Sequence, residues 1–214
     1  TCMEMGQAAG TAAALAADAN QPHDHQGVLT PYTGAPPAIE LSDKDIARLD
    51  KGKSVLVPIQ EAAGAGRGLA IQDIEASPRV VWSRIVSYDR YPDWVNYVSE
   101  CETYEQAGDR IKVRFVLKGF GFNFEYYIDH VYRPDQGYMT WTLDYSKLSD
   151  FDDSVGYWFV EDHPTKEGWT RLYYSVELQV KGNVPEFIQE IATKRGLHEA
   201  TQWVKREAEE VAGD

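Results

Sequence analysis

Basic residues are scarce in this sequence. The 214-residue chain has 21 lysines and arginines against 34 aspartates and glutamates, which gives a formal net charge of −13. Proteins that bind nucleic acids need basic surface to displace the counterions of the phosphates, and an anionic membrane surface repels an acidic protein. We therefore expect no nucleic-acid partner.

Cysteines, long apolar runs and catalytic motifs are also lacking. The two cysteines, Cys2 and Cys101, are too few for a disulfide framework or a thiolate metal site. No run approaches the roughly 18 apolar residues of a membrane-spanning helix, so no transmembrane segment is expected. The sequence also has no Ser/His/Asp order, no His-Glu-x-x-His and no cysteine pair with metal spacing. We expect neither a metal nor another cofactor, and a binding protein is favoured over an enzyme.

The N-terminal segment is the most unusual part of the composition. Residues 1–43 contain no lysine or arginine and are rich in alanine, glycine and proline. Such a segment has little to bury, so residues 1–40 are predicted to form an extended arm. The arm either packs along its own domain or is held by a protein partner. From the start at Thr1 we expect one of two histories: removal of a targeting segment of an exported or organellar protein, for example of a plastid, or trimming for expression.

Aromatic residues, by contrast, are plentiful, with 13 tyrosines, 7 phenylalanines and 6 tryptophans. From Cys101 onward they alternate with polar residues at a period of two, and turn residues separate the runs. This pattern predicts an antiparallel meander with one apolar face. The residues on that predicted face are Ile111, Val113, Phe115, Leu117, Phe122, Phe124, Tyr126, Ile128, His130, Tyr132, Met139, Trp141, Leu143, Tyr145, Val155, Tyr157, Phe159, Leu172, Tyr174, Val176, Leu178 and Val180.

Helical signals flank the meander. A serine and a proline at 77–78 predict a helix start after a strand over 69–76, and a second short helix is predicted over 89–97. Helical spacing of apolar residues from 185 to 211 predicts a long C-terminal helix. Upstream, a short helix is predicted after Ser42, a strand over 54–59 and a flexible connector over 62–68. The expected class is α+β, with a curved antiparallel sheet wrapped around the C-terminal helix and a ligand cavity between them.

Two stretches resemble a known family. Residues 74–82, Ile-Glu-Ala-Ser-Pro-Arg-Val-Val-Trp, resemble the opening of START-like (SRPBCC) proteins, and residues 88–94, Tyr-Asp-Arg-Tyr-Pro-Asp-Trp, resemble the second helix of that superfamily. The similarity is to the polyketide cyclase, coenzyme Q-binding and lipid-transport branch, and it covers roughly residues 67–211. It implies a helix-grip fold. The predicted organisation is an arm over 1–40, a helix and strand lead-in over 41–66 and a START-like domain over 67–214.

The resemblance implies a hydrophobic ligand such as a lipid, sterol, isoprenoid quinone or pigment-like molecule. It carries over a cavity but no catalytic motif, so we expect non-enzymatic binding or transport. The aromatic and aliphatic face supports the same expectation independently, since it offers a large apolar surface to a ligand. The candidate cavity residues are Trp94, Phe115, Phe124, Tyr126, His130, Trp141, Tyr157, Tyr174, Ile191 and Lys194.

Two alternatives stay open at this point. In the first, the domain is an accessory or scaffold subunit whose arm wraps a larger complex, for example a membrane-associated complex of an organelle. In the second, the protein is a polyketide cyclase or aromatase, for which His130 is the one acid/base candidate. Both His130 and Lys194 also have structural interpretations, as a hydrogen-bonded strand residue and as a side chain that reaches water.

Overall fold

One antiparallel sheet dominates the computed structural model, which describes residues 27–36, 39–59, 66–119, 121–179 and 194–213. Its eight strands follow one another in the order β1-β2-β8-β7-β6-β5-β4-β3, so the first and third strands form the two edges. The strands are β1 Val55–Ile59, β2 Gly66–Ile74, β3 Val98–Ala107, β4 Arg110–Gly119, β5 Phe122–Arg133, β6 Tyr138–Leu143, β7 Asp153–Asp162 and β8 Thr170–Gln179.

Four α-helices are described, and sequence signals account for where three of them begin or end. In α1, Asp43–Leu49, Ser42 and Asp45 form a capping box, and Gly52 follows the helix with a φ of 70°. The second helix, α2 Pro78–Ile85, has proline in its first turn, as predicted. A 3₁₀ turn, Tyr88–Arg90, leads into α3, Tyr91–Trp94, so the predicted helix over 89–97 ends three residues early.

The last helix, α4 Lys194–Ala212, lies against the inner face of the sheet. The predicted start of this helix near residue 185 lies outside the described residues. In the parts of the chain described, no helix combines the length and the apolar character that crossing a bilayer requires. The sheet and helices together confirm the predicted helix-grip α+β fold.

The inner face of the sheet follows the predicted alternation in β4, β5, β6 and β8. Val113, Ile128, Met139 and Leu172 all belong to one buried core that also includes Trp203 of α4. Alternation is reliable here because this face alone meets the helix, whereas the opposite side chains of β4 and β5 are charged or polar except for Val116 and Val131.

The predicted flexible connector is wrong for residues 66–68, which form the start of β2. A Cβ atom at Gly68 would lie 2.1 Å from Cδ1 of Leu197 in α4. The glycine therefore allows the helix to approach the strand closely, and its role is packing rather than flexibility.

A second core covers the outer face of β1, β2, β7 and β8. Residues 27–36, which we call the N-terminal strap, lie on this face. The backbone N–H of Leu29 donates to Oδ2 of Asp153 at 2.8 Å, and the ring of Tyr32 packs edge-on against Tyr157 at 4.8 Å between centroids. This part of the predicted arm therefore packs along its own domain. Residues 1–26 lie outside the described residues.

The strap explains why the predicted facing of β7 is wrong. Val155, Tyr157 and Phe159 were expected on the inner face, but Tyr157 and Phe159 belong to the outer core. The inner positions of β7 are instead occupied by Gly156 and Trp158. Because both faces of this strand are covered, its two sets of side chains are both apolar, and alternation carries no information about which set faces the helix.

The Tyr32→Ala variant tests whether the strap stabilises the fold. Removing a ring that packs on Tyr157 is expected to lower the free energy of unfolding by about 2 kcal/mol, because both buried area and an aromatic contact are lost. Urea unfolding of the full chain measures this loss. Tyr32→Phe keeps the ring and serves as the control. Equal stability of the alanine and phenylalanine variants would show that the ring of Tyr32 does not contribute.

Candidate ligand-binding cavity

A cavity of about 590 Å³ lies between the inner face of the sheet and helices α3 and α4. Its floor is formed by β4 to β8, and the segment from Tyr91 to Val98 and the first turns of α4 form its opposite side. It exists because α4 packs closely on β2, at Gly68, while bulky aromatic residues hold α3 and α4 away from β4 and β5. A volume of this size suits one small-molecule ligand.

Aromatic pairs form most of the cavity wall. Phe115 and Tyr126 stack with centroids 5.1 Å apart and planes inclined by 7°. Tyr174 lies 4.2 Å from Trp158 and 5.9 Å from Trp141, again between ring centroids. Such interlocked rings resist collapse into the cavity and present flat apolar surfaces to a ligand.

Several polar atoms of the wall are already bonded to the protein. The hydroxyl of Tyr91 donates to the backbone oxygen of Ile85 at 2.6 Å. The indole N–H of Trp141 donates to Oγ of Ser154 at 3.4 Å. By contrast, the hydroxyls of Tyr126 and Tyr174 make no hydrogen bond to any residue in the described ranges, so both can bond a ligand.

The titratable groups inside the cavity are neutral over a wide pH range. Burial lowers the pKa of His130 to about 4. Burial also raises the pKa of Tyr88, Tyr91 and Tyr126 well above the usual value for a phenol, and that of Tyr174 in the same direction. In both cases the low-polarity surroundings penalise the charged form. The described interior therefore carries no ionised side chain near neutral pH.

Charged residues occur only at the rim among the lining residues that the structure describes. The side chains of Asp93, Arg195 and Arg206 are 67%, 65% and 58% exposed. Asn96 bonds Glu199 across the opening at 3.5 Å, and Nη2 of Arg206 donates to the backbone oxygen of Trp94 at 3.1 Å. These contacts tie α3 and its following loop to α4 at the mouth.

Most of the predicted cavity residues are brought together by the fold. The cavity is lined by Trp94, Phe115, Tyr126, His130, Trp141 and Tyr174. Phe124 is not a lining residue but packs on Phe151, which is one, at 5.7 Å. The placement of Tyr157 is wrong, because it lies on the outer face under Tyr32. Ile191 lies outside the described residues, as does the side chain of Lys194, whose backbone begins α4.

Sequence reasoning missed several lining residues. Trp158 was missed because the wrong set of β7 side chains was assigned to the inner face. Tyr88 and Tyr91 lie in the 3₁₀ turn and α3, where short helical segments have too few residues to define a face. Trp203 was not counted among the apolar positions of the predicted C-terminal helix. A tryptophan directly before the apolar Val204 could have indicated that the apolar face of the helix includes this position.

Gly156 is expected to be essential for the shape of the cavity floor. A Cβ atom there would lie 2.1 Å from Cζ2 of Trp141 and 2.4 Å from the backbone oxygen of Ser175. We expect Gly156→Ala to lower the free energy of unfolding by about 1–3 kcal/mol, because the indole must move toward the cavity. Urea unfolding measures the loss. Gly34→Ala, where a Cβ meets nothing within 4 Å, is the matched control, and equal effects of the two changes would contradict the argument.

Comparison with known proteins agrees with this geometry. The family model described as polyketide cyclase/dehydrase and lipid transport matches residues 74–202. That span runs from the end of β2 into α4 and so contains most of the cavity wall. No curated protein sequence matches the chain.

Solved structures share the fold at low sequence identity. The Zhui aromatase/cyclase from Streptomyces sp. R1128 aligns with a TM-score of 0.59 and 13% identity, over 70% of this chain and 96% of its own. A START superfamily protein from Mycobacterium smegmatis aligns with a TM-score of 0.55 and 16% identity, over 69% and 99%. A STAR-related lipid transfer protein from Xanthomonas axonopodis gives 0.54 and 11%, over 72% and 98%. At these identities the similarity establishes the fold alone.

Proposed function

Because this chain belongs to the polyketide cyclase/dehydrase and lipid transport family, we propose that it binds and carries one hydrophobic small molecule without transforming it. The ligand occupies the cavity between the sheet and α4. Lipids, sterols, isoprenoid quinones and pigment-like molecules are the classes that such a cavity accepts. The observation that carries the proposal is the division between a neutral aromatic interior and charged residues confined to the exposed rim.

This division suits binding because an apolar ligand gives up no hydrogen bonds to water on entering the cavity, and no charged side chain of the interior has to lose its hydration. Burial of apolar area contributes about 25 cal/mol per Å². The few polar atoms of the wall orient a ligand without requiring it to be charged. A charged head group, if the ligand has one, meets Arg195 or Arg206 at the rim rather than the interior.

Cyclase chemistry is less well supported by the same residues. A general acid or base works best when its pKa lies near the operating pH. Within the described cavity wall, His130 is protonated only below about pH 4, and burial raises the pKa of Tyr126 away from neutrality. The carboxylates of Asp93 and Glu199 belong to the rim. Binding without chemistry is therefore the better account.

The scaffold alternative also has less support. It rested on an arm held by another protein. Contacts of the strap through Leu29 and Tyr32 are made to the sheet of the same chain. A protein partner would therefore have to act through other residues.

Two measurements on the full chain test the proposal. Organic extraction of the purified protein followed by mass spectrometry is expected to recover an apolar molecule in near-stoichiometric amount. A neutral, environment-sensitive fluorescent probe is expected to bind the extracted protein. Failure of both, with no apolar molecule recovered and no probe bound, would overturn the proposal.

A variant that fills the cavity locates the binding. Leu178 lines the cavity, and Leu178→Trp is expected to weaken probe binding by at least about tenfold, because the larger side chain occupies the ligand's volume. Leu148 is 63% exposed, and Leu148→Trp serves as the control with unchanged binding. Circular dichroism of both variants first establishes that each is folded.

A further inference from the structure

His130 presents an unfilled hydrogen-bond acceptor in the cavity wall. It lies in β5, is 5% exposed, and lines the cavity. Its Nδ1 atom is 3.1 Å from the backbone oxygen of Ile111, which is its register partner in β4. A carbonyl oxygen only accepts hydrogen bonds, so Nδ1 must carry the proton.

The other ring nitrogen is therefore a bare acceptor. Burial keeps the imidazole neutral down to about pH 4 by lowering its pKa, and a neutral imidazole with hydrogen on Nδ1 has a lone pair on Nε2. Nδ1 bonds back to the neighbouring strand. Nε2, which is farther out on the ring of this inner-face side chain, is left toward the cavity.

The hydrogen-bond donors near His130 bond to other groups. The ring of Tyr88 lies 5.4 Å from that of His130, but its hydroxyl points to Sδ of Met139 at 3.7 Å. The ring of Trp141 lies 6.2 Å away, and its N–H donates to Ser154. Across the described ranges, no side chain or backbone group donates to Nε2 of His130. A buried acceptor without a donor destabilises the empty site, and a donor on a ligand removes that cost.

From this arrangement we infer that Nε2 of His130 selects the ligand by accepting a hydrogen bond from it. The ligand is a neutral hydrophobic molecule that carries a hydroxyl group, an alcohol or a phenol. The ketone, quinone or methyl ether of the same skeleton binds more weakly, because its oxygen and Nε2 are both acceptors. This inference rests on the proposed function, and it deepens that function by naming the group that the site recognises.

The neighbouring tyrosines extend the recognition pattern. The hydroxyls of Tyr126 and Tyr174 can donate or accept, whereas Nε2 of His130 can only accept. A second oxygen on the ligand therefore finds a partner of either kind at the tyrosines. Only the position next to His130 demands a donor, and this single residue determines the preference for a hydroxyl.

Two probes with one skeleton test the inference in the wild-type chain. We would titrate the extracted protein with 2-naphthol and with 2-methoxynaphthalene at pH 7, where both are neutral, by isothermal titration calorimetry. The naphthol is expected to bind about tenfold or more tightly than the ether, since only the naphthol has an O–H donor. The ¹⁵N chemical shift of His130 Nε2 is expected to move when naphthol binds and not when the ether binds.

Matched variants assign the preference to His130. Asparagine retains an amide N–H in place of Nδ1–H and lacks an acceptor in place of Nε2, so His130→Asn is expected to bring the affinity ratio close to one. Glutamine offers its Oε1 near the place of Nε2, so His130→Gln is expected to keep the preference. If either variant fails to fold, the wild-type affinity ratio and the ¹⁵N shift still decide the inference.

The experiments distinguish a failure of the inference about His130 from a failure of the proposed function. Equal binding of the two probes to the wild-type protein overturns the inference and leaves the proposed function intact. A preference that persists unchanged in His130→Asn also overturns it, because another group must then be the acceptor. Binding of neither probe counts against the proposed function and the inference together.

Discussion

Replacing Asp73 by asparagine is expected to lower the free energy of unfolding by about 3–5 kcal/mol, the range for breaking a buried ion pair. The carboxylate is 1% exposed and accepts two bonds from Arg171, at 2.7 and 3.0 Å. It lies in β2, whereas Arg171 lies in β8 and His163 in the turn between β7 and β8. One side chain therefore joins two strands and a turn.

The histidine in this cluster also has a defined role. Backbone N–H groups of Thr165 and Lys166 donate to Nδ1 of His163 at 3.1 and 3.0 Å. Nε2 of His163 therefore carries the proton and donates to Asp73 at 2.9 Å. An asparagine would keep the shape but would turn an amide N–H toward these donors and leave the Arg171 charge buried without its counterion.

Urea unfolding of Asp73→Asn against wild type measures this effect. The control is Asp50→Asn, which breaks the Asp50–Lys166 pair at 2.9 Å, where the aspartate is 54% exposed. Exposed pairs are screened by water, so the unfolding midpoint of the control is expected to change little. A loss below about 1 kcal/mol for Asp73→Asn would show that the cluster does not stabilise the fold.

Acidification is expected to destabilise the protein through His130. Its pKa is about 4 in the folded protein against 6.5 when unperturbed, because burial penalises the imidazolium ion. Between these values the unfolded chain binds a proton that the folded protein excludes. The stability that comes from keeping His130 neutral is fully present above about pH 6.5. As the pH drops through this window, the free energy of unfolding falls, and the loss reaches about 3 kcal/mol by pH 4.

The measurement is a series of urea unfolding curves between pH 7 and pH 4 for wild type and His130→Asn. The variant cannot titrate at this position, so the difference between the two slopes isolates His130 from the other acidic and histidine residues. Parallel curves would contradict the argument.

Asp144 contributes to the pH dependence of stability at a lower pH than His130 does. Burial alone would raise the pKa of Asp144, but hydrogen bonds from Ser146 and Tyr104 outweigh burial and lower it to about 2.

Local sequence patterns were enough to predict much of the fold. A period of two in β4, β5 and β6 identified which side chains face the helix, and Ser77-Pro78 marked the start of α2. The aromatic candidates Phe115, Tyr126 and Trp141 line the cavity because they belong to these one-sided strands. Where one face of a strand meets the core and the other meets water, the alternation of apolar and polar residues shows which side chains face the core.

Patterns failed where both sides of an element are covered. Tyr157 and Trp158 are adjacent aromatic residues of β7, and nothing in the sequence distinguishes the one under the strap from the one in the cavity wall. Gly68 resembled part of a flexible connector, although it is the point where Leu197 meets the sheet. The position of each of these residues in the fold depends on contacts with residues far away in the chain.

The sequence by itself determined the α+β class, the apolar inner face of β4, β5, β6 and β8 and the placement of His130 on it, because periodicity and capping are local properties. Only the tertiary structure decided that the strap covers the outer face, that Asp73 meets Arg171 and His163, and that Nε2 of His130 has no described donor. The physical reason is that burial and hydrogen-bond satisfaction depend on residues far apart in the chain, as in the pair Asp73 and His163, which lie 90 positions apart.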